Sequence, residues 1–291
     1  MKTTLALGAV ALAPSGIARA AGQALKWTHF PAGPNGFYRA PVLIEGATEA
    51  VLIDGGFTLP DGVALAESIK ATGKKLTTIY ISQSDPDYYF SLRPVVEAFP
   101  EARVLAATAT VEAIEASVDG KLAVWGPQLG EAGPQSRADV VFATAWDEPT
   151  LTVDGETIEI ITPDTMENRR YLWVPSLQAV FGGVLIFNGV HVWTADTQTP
   201  EIRAEWVKVL DSIAARNPAV VVAGHAEADA ATDISGVTHT KAYLQAFDEE
   251  LPKAADGAAL EAAMKERFPG LGMEVAIQIG SKVAKGEMKW G

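Results

Sequence analysis

The stretch LTTIYISQSDPDY, residues 76–88, joins an apolar strand to an acidic loop. Its first half is rich in β-branched and aromatic residues, which is typical of a strand in a sheet. Its second half places Gln83, Asp85 and Asp87 directly after that strand. In α/β proteins the loops that follow strand ends carry the functional side chains. The stretch therefore predicts an α/β fold with polar chemistry at a strand end, although the same loop taken alone is also an ordinary turn that starts a helix.

Strands and helices alternate on both sides of this stretch. Short apolar runs with β-branched residues predict the strands, and apolar residues three or four positions apart predict the helices. The predicted strands are 40–45, 50–53, 76–81, 103–106, a pair over 151–161, 171–174, 178–181 and 219–223, and the predicted helices are 61–72, 91–98, 108–118, 201–215, 241–249 and 255–267. No linker-like change in composition and no repeat of fixed period interrupts the series, so we expect one domain over residues 21–291.

Composition limits the classes of function. The chain has 291 residues, 48% of them hydrophobic and 20% charged, with a net charge of -13 and no cysteine. This is the composition of a globular protein large enough to bury its own core. The absence of cysteine excludes disulfides, thiolate metal sites and a cysteine nucleophile. The negative charge has the wrong sign for a phosphate backbone, so we expect no nucleic-acid partner, and the oligomeric state stays open.

The N-terminus has the pattern of a secretory signal. Lys2 is followed by the apolar run LALGAVALA at residues 5–13 and by the small-residue site Ala18-Arg19-Ala20. This pattern predicts a signal peptide over residues 1–20 and a periplasmic or secreted mature protein, the alternative being a frayed apolar N-terminus. No later run is long enough for a membrane helix, so we expect no membrane span.

Polar residues follow predicted strands at four places. These are Asp54, the loop of residues 83–88, Asp164 and His225. Each of them alone is an ordinary structural feature, because Asp and Gly favour turns and a His after a buried strand is often structural. The order of the four places along the chain carries the functional information.

That order resembles the metallo-β-lactamase superfamily. The matching motifs are VLIDGG at 51–56, QSDPDY at 83–88, TPDT at 162–165, GGV at 182–184 and AGH at 223–225. The resemblance extends over residues 27–239 and is greatest to the branch of metallo-hydrolases. It implies an α/β (α+β) fold in which two mixed sheets, flanked by helices, form a four-layer αββα sandwich.

The resemblance also implies a first metal site, whose ligands differ here from the family pattern. Gln83, Asp85 and Asp164 stand where the family has three His. All three offer oxygen, which suits Ca, Mg or Mn better than Zn. Together with Asp54 and Asp87, the two acids of this set would bring four carboxylates into one pocket, and either a bound cation or a shared proton would relieve their repulsion.

The second metal site of the family is reduced as well. Asp87 and His225 are unchanged, but Tyr88 replaces a His and Val184 replaces the bridging Asp. Two ligands without a bridging carboxylate are too few for tight binding. The resemblance therefore implies at most one divalent ion (Mn, Ca, Mg or Zn) and argues against a dinuclear zinc centre.

The function implied by the resemblance is hydrolysis of a small ester, lactone or amide. Asp87 and His225 would be the catalytic residues that activate water. Tyr88, His191 and Trp193 are the candidate substrate-binding residues, although the last two could equally be packed residues of the core. The alternative is a catalytically inactive relative that binds a small molecule or a partner protein in the ancestral pocket, which the loss of the bridging ligand favours.

Overall fold

A six-stranded mixed sheet forms one half of the described residues, which are 24–166 and 168–290 of the computed structural model. The predicted signal peptide lies outside these residues. The strands lie in chain order: β1 Lys26–His29, β2 Val42–Glu45, β3 Glu49–Ile53, β4 Lys75–Tyr80, β5 Arg103–Ala106 and β6 Thr144–Ala145. The first three pair antiparallel and the others parallel, so β3, β4 and β5 end at the same edge.

A five-stranded sheet forms the other half. Its order is β12-β10-β9-β8-β7, with β7 Thr150–Val153, β8 Glu156–Ile161, β9 Tyr171–Val174, β10 Ala179–Phe181 and β12 Val220–Val222. Only the β10–β12 pair is parallel. A short parallel pair, β11 Phe187–Asn188 with β13 His225–Ala226, lies beyond the ends of β10 and β12.

Seven α-helices lie in the described residues. They are α1 Leu59–Thr72, α2 Leu92–Ala98, α3 Thr108–Leu129, α4 Pro200–Ala215, α5 Ser235–Glu250, α6 Gly257–Arg267 and α7 Glu274–Ala284. Helices α1 and α2 pack together, as do α4 with α5 and α6 with α7. Within the described range, none of the helices has both the length and the apolar character needed to cross a membrane.

The strands alternate between two apolar layers. Val51 and Ile53 face the second sheet, where they join a cluster that includes Leu172 and Phe181. Leu52, between them, faces the opposite way and joins the cluster that contains the helices. Because successive side chains of a strand point to opposite faces, a strand buried on both faces places every side chain in a core. This packing confirms the predicted αββα sandwich.

The main differences from the predicted elements lie in the helices. Helix α3 continues to Leu129, beyond the predicted end at residue 118, because Ile114, Val118 and Leu122 lie on one buried face. Helix α5 begins at Ser235, six residues earlier than predicted, and α7 was not predicted. Strand β1 was not predicted either, and its alternately exposed pattern is that of an edge strand.

Candidate functional site

Asp54 lies at the base of the site, directly after β3. Its backbone is left-handed, with φ 61°, which turns the side chain back toward the end of β4. The carboxylate accepts hydrogen bonds from the backbone N–H of Ser82 at 2.6 Å, from the Ser82 hydroxyl at 2.8 Å and from Nη2 of Arg39 at 3.1 Å. Burial raises the pKa of Asp54 more than Arg39 and Ser82 lower it. Asp54 therefore ties the ends of two strands to a buried arginine.

Asp87 is held by the loop that follows β4. The turn Pro86–Tyr88 is fixed to the end of β3 because the N–H of Gly55 donates to the carbonyl of Tyr88 at 2.7 Å. The Asp87 side chain is only 12% exposed. Burial raises the pKa of this carboxyl to about 7, although the nearby Arg39 opposes the shift. A carboxyl with a pKa near neutrality can both accept and release a proton under ordinary conditions.

His225 lies beside Asp87, at the start of β13. Its Nδ1 is 2.7 Å from the backbone carbonyl of Phe37, which can only accept, so Nδ1 carries the hydrogen and Nε2 is the acceptor. Nε2 lies 3.5 Å from Oδ2 of Asp87 and 3.3 Å from the hydroxyl of Tyr88. Burial, with a smaller effect from Arg39, lowers the pKa of His225 to about 3. The imidazole is therefore neutral, and its Nε2 accepts a hydrogen bond from the hydroxyl of Tyr88.

Arg39 fills the space between these groups. Its guanidinium is fully buried and donates to Asp54, to the backbone carbonyl of Asp87 at 3.3 Å and to the carbonyl of Gly224. Its Nε is 3.8 Å from Oδ2 of Asp87, and its carbon Cζ lies 3.6 Å above the ring of Tyr88. A guanidinium offers five donors in a rigid fork, which suits several acceptors in one plane. The site is thus built around an internal cation.

The three residues at the family's first metal site do not come together as ligands. Asp85 pairs with Lys121 at 3.4 Å, and burial followed by the charge of Asp196 raises the pKa of Asp85. Gln83 is buried and its amide oxygen accepts from the backbone N–H of Ser84 at 2.8 Å. Asp164 is exposed in a turn after β8. The expected cluster of four carboxylates is therefore not formed, because Lys121 and solvent meet these charges separately.

The residues present do not fit a metal centre of the family type. Among residues 24–166 and 168–290, no three His, Cys, Asp or Glu side chains meet in a group that could hold a metal ion. At the second site the guanidinium of Arg39 already neutralises Asp54 and faces Asp87. Val184 is buried and has no ligand atom. We therefore correct the expectation of an oxygen-rich cation site, because these side chains do not form a set of ligands. A divalent ion held by Asp87 would also lie beside the fixed positive charge of Arg39.

The candidate substrate residues are distributed around the site. Tyr88 lies within it, fully buried under Arg39. His191 is also buried and shares a hydrogen bond of 2.9 Å with the hydroxyl of Tyr243. Trp193 is half-buried and packs edge-on against Trp290, with the ring centroids 5.1 Å apart. His191 is thus held within the protein, while Trp193 keeps part of its ring at the surface.

Sequence reasoning missed Arg39 and Lys121. Arg39 is separated by 15, 48 and 185 residues from Asp54, Asp87 and Gly224. No local spacing could connect residues that far apart. The available signal was a lone arginine directly before an apolar strand, where a charge must find a buried partner. Lys121 lies in α3 beyond the predicted end of that helix, so its approach to Asp85 was not foreseen either.

Comparisons with known proteins identify the family and the fold of the chain. A sequence model described as the metallo-beta-lactamase superfamily matches residues 35–225. A solved metallo-beta-lactamase family protein from Thermus thermophilus is similar in structure with a TM-score of 0.57 at 17% identity, covering 89% of this chain and 91% of that one. A metallo-beta-lactamase from Pontibacter korlensis gives a TM-score of 0.50 at 17% identity, covering 71% and 87%. At these identities the likeness shows the fold alone. No curated protein is significantly similar in sequence.

Proposed function

The chain belongs to the metallo-beta-lactamase superfamily, and from this premise we propose that it hydrolyses a small ester, lactone or amide. The catalytic residues of the proposed reaction are Asp87 and His225, and the reaction uses no metal ion. The observation that carries the proposal is the contact of 3.5 Å between Oδ2 of Asp87 and Nε2 of His225. It joins a carboxyl that titrates near neutrality to a neutral imidazole whose Nε2 accepts hydrogen bonds. Such a pair has the properties of a general base and its hydrogen-bonding partner.

The proposed reaction uses one water molecule. The Asp87 carboxylate takes a proton from the water as the water oxygen bonds to the carbonyl carbon of the substrate. While the tetrahedral adduct forms, the protonated carboxyl donates a hydrogen bond to Nε2 of His225, and it then turns its proton toward the leaving atom. The bond from the acyl carbon to the leaving oxygen or nitrogen then breaks, and the leaving atom receives the proton from Asp87. The same carboxyl serves both steps because its pKa of about 7 favours neither form strongly.

Access to this pair is supported by the surface beside it. The exposed edge of Asp87 is small, but Asp85 nearby is 33% exposed and Lys121 is 20% exposed. The charge of Lys121 acts on both acids, since it lowers the pKa of each against the effect of burial. In the proposed mechanism Lys121, held by the carbonyl of Ser84 and by Asp85, favours the ionised carboxylate of Asp87 that accepts the proton.

We further propose that the protein is exported. The support is the signal pattern of residues 1–20, which predicts cleavage after Ala20 or Ala21. N-terminal sequencing of the protein recovered from its native compartment is the direct measurement. A mature chain that still begins at Met1 contradicts the export proposal and leaves the chemistry of the site untouched.

The hydrolytic proposal is tested with a panel of chromogenic esters, lactones and amides. We expect turnover by the protein purified in chelator, and a loss of at least 100-fold in kcat for Asp87→Asn, because the variant has no group to take the proton. His225→Gln keeps a polar side chain but changes the acceptor, and we expect a smaller loss. Asp229→Asn, at an exposed acid in the turn after β13, is the matched control. Turnover of any substrate by Asp87→Asn at the wild-type rate contradicts the mechanism.

A second candidate function, binding without catalysis, is favoured by a cavity beside the site. Its volume is about 400 Å³, and its wall includes Phe37, Tyr38, Leu271 and Met273. It adjoins the site through Phe37, whose carbonyl accepts from His225, yet neither Asp87 nor His225 lines it. If a ligand raises the melting temperature and is recovered unchanged, and no member of the panel is hydrolysed, this binding function replaces the hydrolytic one.

A further inference from the structure

The Arg39 guanidinium has partners within the site for its edges and for one flat face. Its two edges donate to Asp54, to the carbonyl of Asp87 and to the carbonyl of Gly224, and its flat face covers the ring of Tyr88. The side chain has no exposed surface. A buried charge persists only when it is paired and hydrogen-bonded, and this arrangement meets both conditions. Arg39 is therefore an integral part of the site and does not extend into solvent.

The contacts of Arg39 coincide with the positions at which the sequence matches the ligands of the family. Asp87 and Tyr88 belong to the loop that matches the central ligand motif, and Gly224 precedes the matching His225. The guanidinium contacts the side chains of Asp87 and Tyr88 and the backbone carbonyl of Gly224. The backbone of Arg39 also forms a β-bridge with that of His225. The positive charge thus lies among the residues that would surround a metal ion.

The backbone around Arg39 leaves little freedom for it to move away. A Cβ atom at Gly224 would lie 3.0 Å from Nη1 of Arg39 and 2.0 Å from the carbonyl oxygen of Gly183. The chain before β2 is fixed to the same turn, because the N–H of Ala40 donates to the carbonyl of Gly224 at 3.1 Å. Arg39 and the Gly224 turn are therefore one packed unit, and a divalent ion could reach Asp87 only next to the guanidinium.

We propose that Arg39 is the permanent cation of this site, a positioning residue that takes the place of a metal ion and holds Asp87 toward His225. The positive guanidinium repels a divalent ion, and this repulsion excludes the ion from Asp87 while Arg39 is present. The positive charge is supplied by the chain and does not depend on the supply of metal. This inference goes beyond the proposed hydrolysis and does not require it, since it concerns only the source of the charge.

The test measures metal binding by the full mature chain and needs no substrate. Protein freed of metal with chelator and dialysed is titrated with Zn²⁺ and with Mn²⁺ by calorimetry, and its melting temperature is recorded with and without each ion. In the wild type and in Asp87→Asn we expect the same response to both ions, because Asp87 is not available as a ligand. Binding by the wild type that weakens tenfold or more in Asp87→Asn overturns the proposal.

The second arm of the test removes the charge of Arg39 and measures whether a metal ion can take its place. Arg39→Met keeps most of the side-chain volume and removes the charge, so we expect a lower melting temperature that Zn²⁺ or Mn²⁺ raises by several degrees. Arg39→Met with Asp87→Asn should lose that response, and Arg137→Met, at an exposed arginine, should never gain it. If Arg39→Met does not fold, Arg39→Gln is used instead, because it also removes the charge but keeps a polar side chain beside Asp54. A folded variant without Arg39 that gains no response to metal overturns the proposal, and the wild-type arm decides it if neither variant folds.

Discussion

The order of the pKa values of Asp87 and His225 in the folded protein is the reverse of their order in water. In an unfolded chain the carboxyl ionises near pH 3.8 and the imidazole near 6.5. In the folded protein burial raises the pKa of Asp87 to about 7 and lowers the pKa of His225 to about 3. At pH 5 the unfolded pair is therefore charged and the folded pair is neutral, while each binds one proton. The buried site removes two charges from the protein without changing the number of protons.

This exchange predicts opposite pH dependences for two single variants. In Asp87→Asn only His225 remains, and between pH 6.5 and about 3 the unfolded state binds the extra proton. The free energy of unfolding should then fall as pH falls, by up to about 1.4 kcal/mol per pH unit. In His225→Gln only Asp87 remains, the folded state binds the extra proton between pH 3.8 and about 7, and the free energy of unfolding should fall as pH rises.

The measurement is urea unfolding at steps between pH 5 and 6.5, where the two opposing effects overlap. In the wild type they largely cancel, so its curve should lie between those of the variants. Asp229→Asn is the control and should follow the wild type. Parallel curves for Asp87→Asn and His225→Gln would contradict the reversed order of protonation.

At the scale of elements, the approach of α1 to α2 fixes the loop that carries Asp87. Gly62 lies in α1 where the backbone carbonyl of Ser91, just before α2, comes closest. The hydroxyl of the same Ser91 accepts from the N–H of Gly56 at 2.6 Å. The short loop between β4 and α2 is thus held by the end of β3 on one side and by α1 on the other. This double attachment positions the backbone of Asp87.

A matched pair of glycine substitutions tests this close approach. Gly62→Ala would place a Cβ atom 2.0 Å from the carbonyl oxygen of Ser91, which is backbone and cannot rotate away. We expect it to lower the free energy of unfolding by about 2–3 kcal/mol. Gly120→Ala in α3 meets no atom within 4 Å and should raise it by about 0.5–1 kcal/mol, since alanine favours the helix. Chemical unfolding of both variants is the measurement, and an unchanged Gly62→Ala would contradict the close helix contact.

At the scale of the whole molecule, Asp154 links the two sheets at the end remote from the site. It lies in the β7–β8 turn and accepts from the N–H of Thr48 at 2.8 Å, from its hydroxyl at 2.6 Å and from the N–H of Glu49 at 3.0 Å. Thr48 is the last residue of the turn between β2 and β3 in the other sheet, and Glu49 is the first residue of β3. The hydrogen bonds from Thr48 lower the pKa of Asp154 to about 2. One carboxylate therefore satisfies three donors across the sandwich.

Loss of this carboxylate should weaken the sandwich. A carboxyl whose pKa is lower in the folded state stabilises it above the unfolded value near 3.8, and this stabilisation disappears as pH falls toward 2. We expect Asp154→Ala to lower the melting temperature at pH 7 and to reduce the difference from wild type as the pH falls below 3.8. Scanning calorimetry over that range gives the comparison, with Asp229→Ala as the control. A difference between variant and wild type that does not depend on pH would contradict the role of the ionised group.

The sequence by itself determined the features that depend on spacing along the chain. The apolar period predicted β2 to β5, the Asp154-Gly155 hairpin and most helices, because a strand or helix buries residues at fixed intervals along the chain. The resemblance of the ordered motifs to the superfamily implied the sandwich, which the structure confirms. The sequence also placed Asp87 and His225 after strands, and the structure brings their side chains to 3.5 Å.

Only the tertiary structure decided what surrounds that pair. Through its resemblance to the family, the sequence predicted an acidic pocket relieved by a cation or by a shared proton, since the charges of Asp85, Asp87 and Asp164 are visible one at a time. Folding brings Lys121 to Asp85, leaves Asp164 in solvent and inserts Arg39 beside Asp87. Burial then moves the pKa values of Asp87 and His225 in opposite directions. Counter-charges and desolvation depend on distances in space between residues far apart in the chain, and no spacing along the sequence contains them.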